Sequence, residues 1–169
     1  DFANKQVVDF LYNKIEAILR CGRISYVKWD MNRNITEAYS PTLPTDRQKE
    51  FYHRYILGVY ALYERLTQAF PEVLFESCAS GGGRFDAGML YYAPQAWTSD
   101  DTDAVERLHI QYGTSMVYPV VSMGSHVSAV PNHQVARSTS LKMRADTAYF
   151  GTFGYELDLT KLTEEDQRE

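Results

Sequence analysis

Ile24-Ser25-Tyr26-Val27-Lys28-Trp29-Asp30-Met31-Asn32 runs from an apolar stretch into a polar end. Ile24 to Trp29 reads as a short buried strand. Alternation along it puts Lys28, Asp30 and Asn32 on one side, with Trp29 and Met31 on the other, toward packing helices. A buried lysine beside an aspartate at a strand end is costly unless each satisfies the other. Two readings fit. One is a plain ion pair at a barrel rim. The other is a carboxylate kept ionised by Lys28 and available as a nucleophile.

Working outward, helices and short strands alternate. Val8, Leu11, Ile15, Ile18 and Leu19 stand at helical spacing over residues 5–20, with Gly22 as a stop. Thr45 followed by Gln48 predicts a capping box opening a helix through Phe51, Val59 and Leu66, ended by Pro71. Val73 to Phe75 reads as a second strand, Gly81 to Gly83 as loop, and Ala93 to Trp97 as a third strand. Asp101 or Thr102 caps the next helix, and Val117 to Val121 is a fourth strand. A long loop with Gly124, Pro131 and Asn132 precedes a helix over 134–148 and a last strand over 150–157. Thr163 to Asp166 looks like the opening of another helix, so both ends of the sequence look cut.

Strands alternating with helices predict βαβ units and a parallel sheet. An open doubly wound sheet and a closed barrel both fit that pattern. The polar residues Asp30, Glu76, Asp100 and Ser122 decide between them, because each falls just after an expected strand. In a barrel those strand ends converge on one mouth. The expected fold is therefore α/β, a partial (β/α)8 TIM barrel. Its five strand units make about five-eighths of a barrel that typically needs ~250 residues.

A chain of 169 residues with 44% hydrophobic content can bury a globular core. The net charge of −5 favours neither nucleic acid nor an anionic membrane. No apolar run approaches the ~18 residues that cross a bilayer, and no signal peptide opens the sequence. Two cysteines, Cys21 and Cys78, give neither a disulfide framework nor a zinc spacing. They favour a reducing compartment, and the expectation is a cytoplasmic, bacterial protein.

Trp97-Thr98-Ser99-Asp100-Asp101-Thr102-Asp103 crowds three carboxylates into four positions. Mutual repulsion could leave one of them protonated, as a general acid requires. Helix capping accounts for Asp101 and Asp103 but leaves Asp100 unexplained. The run lacks the glycine and terminal glutamate of an EF-hand, and no metal or cofactor is expected. In Glu76-Ser77-Cys78-Ala79-Ser80-Gly81-Gly82-Gly83-Arg84 the glycines let backbone approach a ligand closely, without the Gly-Lys-Ser/Thr of a phosphate loop. Cys78 is either a small buried hydrophobe or a thiol lining a hydroxyl-rich ligand. Two carboxylates from different strand ends, with a tryptophan, a lysine and a glycine loop, form a glycosidase-like set.

The segments quoted around Asp30, Cys78 and Asp100, with His126-Val127-Ser128, Pro131-Asn132-His133-Gln134 and Arg137, resemble in order the motifs of the family-36 glycoside hydrolases, the microbial and plant α-galactosidases. The resemblance covers nearly the whole chain. It implies strands four to eight of the barrel, with Asp30 as nucleophile and Asp100 as general acid/base of a retaining double displacement. Such carboxyl pairs stand ~5–5.5 Å apart, against ~6.5–9.5 Å in inverting enzymes. It also implies that Lys28, Asn32, Cys78, Gly81 and Trp97 line the galactose subsite, and that the partner is an α-galactoside such as melibiose or raffinose.

The family's paired aspartates on an early strand, and an arginine near its third strand, match nothing in this sequence. The isolated chain is therefore expected to be inactive. It is also expected to associate with itself, since five strands cannot close an eight-stranded barrel. A transglycosylase, an α-N-acetylgalactosaminidase, an idle sugar-binding piece and a metal-dependent hydrolase using Asp100, Asp101 and Asp103 are the alternatives.

Overall fold

Asn4 opens the first helix: its side-chain oxygen accepts from Gln6 N at 2.9 Å. The structure is a computed structural model that describes residues 1–168. The chain forms two compact units, Asp1–Glu76 with Asp86–Pro94, and Ser77–Phe85 with Gln95–Glu169.

The first unit begins with α1 (Lys5–Leu19), whose Val8 and Leu19 are buried. Gly22, at φ +67°, turns the chain toward β1 (Tyr26–Asp30). The expected capping box does not form. Thr45–Glu50 is a 3₁₀ turn leading straight into α2 (Phe51–Ala69). The Gln48 amide instead donates to the carbonyls of Ser40 and Leu43 at 2.8 and 2.7 Å, tying down the preceding loop.

β2 (Leu74–Cys78) ends three residues later than expected, so Glu76 lies within the strand. A short helix that the sequence reading missed, α3 (Ala87–Tyr92), is capped by Asp86, which accepts from Met89 N at 2.7 Å. The core gathers Val59, Leu62, Tyr63 and Leu66 of α2 with Phe75 and Met89. Val27, Trp29 and Met31 pack on it, the Trp29 and Tyr63 rings lying 5.1 Å apart.

The second unit holds β3 (Gln95–Trp97), α4 (Ala104–Ser115), β4 (Met123–Ser128), α5 (Leu141–Ala148) and β5 (Thr152–Glu156). The run expected as a fourth strand is not one. Pro119 has no N–H for a ladder, Val117 and Val121 are 74% and 77% exposed, and Val120–Ser122 forms a 3₁₀ turn. Ser122 therefore precedes a strand instead of following one. The helix expected over 134–148 begins only at Leu141. Asn132 Oδ1 accepts from Gln134 N and Val135 N at 2.9 and 3.1 Å and holds that stretch as a turn. Thr163 and Asp166 close another local turn, with Thr163 Oγ1 donating to Asp166 Oδ2 at 2.7 Å.

The strand order is β1-β2-β3-β4-β5, the order of the sequence. β3 and β4 pair in parallel with Trp97 opposite Gly124, and β4 and β5 from Gly124–Thr152 to Ser128–Glu156. Strands laid side by side in chain order, β1 to β4 each followed by a helix, form consecutive steps of a (β/α)8 barrel; a doubly wound sheet would reverse direction partway. Among the described residues no helix is long and apolar enough to cross a membrane.

Candidate active site

Plain alternation sets the polar face of β1. Tyr26, Lys28 and Asp30 are more exposed, while Val27 and Trp29 turn to the helical core. Asn32, two residues on, donates from Nδ2 to Asp30 Oδ2 at 2.8 Å and so orients that carboxylate. The sequence assigned Lys28 to Asp30. The structure places Lys28 Nζ 3.5 Å from Glu76 Oε1. Glu76 is wholly buried, and its other oxygen accepts from the Tyr26 hydroxyl. Burial, and then this bond to Glu76, push the Tyr26 phenol well above its ordinary range.

In the second unit Cys78 is buried at the end of β2. Gly81 follows at φ +77°, and its carbonyl accepts from Ala79 N at 2.8 Å. A Cβ on Gly81 would stand 2.6 Å from Ser99 Cα, and one on Gly82 2.9 Å from the Thr98 carbonyl oxygen. The glycine loop is thus packed against the backbone just ahead of Asp100. The close approach read from its glycines is made to another stretch of chain.

The three carboxylates of the Asp100 run part ways. Asp103, not Asp101 or Thr102, caps α4, its Oδ2 accepting from Val105 N and Glu106 N at 3.0 and 3.1 Å. It is buried and pairs with Arg137. Asp101 accepts from Asp103 N at 3.1 Å, which orders the turn before the helix. Thr102 is buried beneath Asn132, Gln134 and Ser128. Asp100 alone is exposed and takes no part in the cap. Among the described residues no three His, Cys, Asp or Glu side chains are grouped to hold a metal ion.

Trp97 ends β3 and is only 3% exposed. The His126 ring stacks on it at 4.7 Å, and the Arg107 guanidinium lies over it at the same distance. Arg107 donates to the carbonyls of Ser99 at 3.1 Å and Gly124 at 2.8 Å, and to Gln111 Oε1 at 3.0 Å. Burial lowers its pKa to about 10. Sequence reading left Arg107 and Glu76 without a role. Alternation extended through Cys78 would have placed Glu76 on the Cys78 face of β2. Nothing local marks Arg107, whose partners are distant in sequence.

Parallel strands in chain order, with acidic and amide side chains at their C-terminal ends, define a segment of a (β/α)8 barrel. The chain belongs to the Melibiase family, whose model matches residues 1–169. It is 58% identical to alpha-galactosidase AgaA of Geobacillus stearothermophilus over 168 residues, 99% of this chain and 23% of AgaA. The chain thus spans about a quarter of the length of that relative. Two solved AgaA variants superpose at 58% identity over 99% of this chain. One is in complex with raffinose (TM-score 0.96, 23% of that chain) and the other with stachyose (TM-score 0.95, 24%). Beyond a shared alanine-to-glutamate change, an aspartate is replaced by asparagine in the raffinose complex and a different one by alanine in the stachyose complex.

Proposed function

We propose that this chain supplies both reacting carboxylates of a retaining α-galactosidase acting on raffinose-type galactosides. Asp30 attacks the anomeric carbon, and Asp100 protonates the departing glycosidic oxygen. A covalent galactosyl ester on Asp30 results. Asp100, now a carboxylate, takes a proton from water as the water attacks that ester, and galactose leaves with its α configuration. Lys28, Asn32, Cys78 and Gly81 line the galactose subsite, and Trp97 backs it from beneath its His126 cover. One observation carries the reading. The two aspartates replaced in the AgaA complexes stand apart by the same number of positions as Asp30 and Asp100. Asp100's exclusion from the α4 cap supports it further.

The test is a kinetic comparison in the full-length protein. Asp30→Ala takes turnover of raffinose and of aryl α-galactosides to background. Asp100→Ala costs ~10²–10⁴-fold on raffinose. Its cost is much smaller on an aryl galactoside whose leaving group needs no proton, and azide restores part of the rate. First-formed α-galactose by proton NMR is the expected product. Intact activity of Asp30→Ala, or initial β-galactose, refutes the assignment.

A further inference from the structure

We propose that Glu76 is a positioning residue of the galactoside site, a buried carboxylate that aims the Lys28 ammonium at the sugar. The inference rests on the subsite reading above and extends it to a residue outside the set read from the sequence.

Three observations lead to it. Glu76 is completely buried, while the Lys28 side chain keeps 33% of its surface, so the pair joins a hidden anion to a reachable cation. Two partners of the carboxylate come from β1, two residues apart on the same side. The Tyr26 hydroxyl takes Oε2, and Lys28 Nζ lies 3.5 Å from Oε1. With one oxygen held by the phenol, the carboxylate cannot swing away from the ammonium. Finally, β1 places Lys28 two positions before Asp30, on the same face as the proposed nucleophile.

A buried ion pair contributes little net stability, because desolvation offsets much of its attraction. What it supplies is direction. An ammonium on a four-carbon stem samples many rotamers, and an anion fixed behind it selects one. Lys28 then meets the sugar without first losing that freedom, which lowers the cost of binding.

The measurement is a double-mutant cycle in the full-length protein, reading KM and kcat on a chromogenic aryl α-galactoside and Ki for galactose. Glu76→Gln keeps the shape and the acceptor for Tyr26 but removes the charge. It is expected to raise KM and Ki about tenfold, with a smaller change in kcat. Lys28→Met is expected to raise them comparably. In the Lys28→Met background Glu76→Gln should then add less than about twofold, because its effect passes through Lys28. Should Glu76→Gln fail to fold, Glu76→Asp retracts the charge by one methylene and is read against Lys28→Met in the same way. Losses that multiply in the double variant overturn the inference alone. So does a fall in melting temperature with KM unmoved. An unchanged KM in Lys28→Met overturns the reading of Lys28 on which it rests, and the inference with it.

Discussion

Gly81 joins backbone conformation to chemistry. Its φ of +77° suits a residue without Cβ, and an added Cβ would lie 2.6 Å from Ser99 Cα, one residue before Asp100. Gly81→Ala must either strain its own backbone or push Ser99 away. The expected cost is about 1–3 kcal/mol in a urea titration. In the full-length protein, raffinose turnover should fall further than that of an activated aryl galactoside, because the displaced segment carries Asp100, the proposed proton donor. Full stability and unchanged turnover would contradict the packing. At this scale the sequence was legible wherever alternation decides: Trp29 turns to the core and Lys28 and Asp30 away from it, as read. Contacts between distant strands were not legible. Lys28 was read beside its neighbour Asp30, and Glu76, far along the chain but 3.5 Å from its ammonium, was not foreseen. The glycines called for a close approach, but nothing in them says whether a ligand or Ser99 is what approaches.

The elements were legible where a periodic run met a clear stop, as in α1 before Gly22. They were misread where a polar side chain chose between two neighbouring turns. The start of α4 is such a case. Asp101, Thr102 and Asp103 are all good caps, and the cap falls to Asp103, which the Arg137 side chain also holds. Asp103→Ala removes the oxygen that accepts from two helix N–H groups and leaves Arg137 with Glu106 as its carboxylate, with an expected loss of about 1–2 kcal/mol for the cap alone. Asp103→Asn keeps the acceptor and loses only the charge facing Arg137, so it should retain most of the stability. Denaturation midpoints of the two variants separate these contributions, and equal losses would mean that capping plays no part. β4 shows the opposite failure. Val117 to Val121 has the β-branched content of a strand, yet Pro119 interrupts it. The strand forms instead from Met123-Gly124-Ser125-His126-Val127-Ser128, whose side chains alternate: Ser125 Oγ donates to Gln111 Oε1 of α4 at 2.8 Å, while the His126 ring stacks on Trp97.

For the chain as a whole, the strand order leaves β1 and β5 at its two ends. A strand at the end of a sheet presents unpaired N–H and C=O groups to any other strand that meets it. Large apolar side chains stay in water in each unit: Phe10 and Ile18 in the first, Tyr149, Phe150 and Tyr155 in the second. Exposed apolar area drives association wherever a partner surface is available, and an identical chain always is. The 169-residue chain on its own is therefore expected to sediment as dimers and larger species at micromolar concentration. Association should weaken on dilution and persist at high salt, since apolar contacts are not screened. The same preparation should show no turnover of an aryl α-galactoside. A site that discriminates sugars through hydroxyl hydrogen bonds loses most of its power when some partners are missing, and this chain spans only 23% of AgaA. A monodisperse monomer across that concentration range would mean that the end strands are covered by the chain's own side chains. Robust turnover would mean that Asp30, Asp100 and the residues around them suffice to hold galactose without the rest of the barrel.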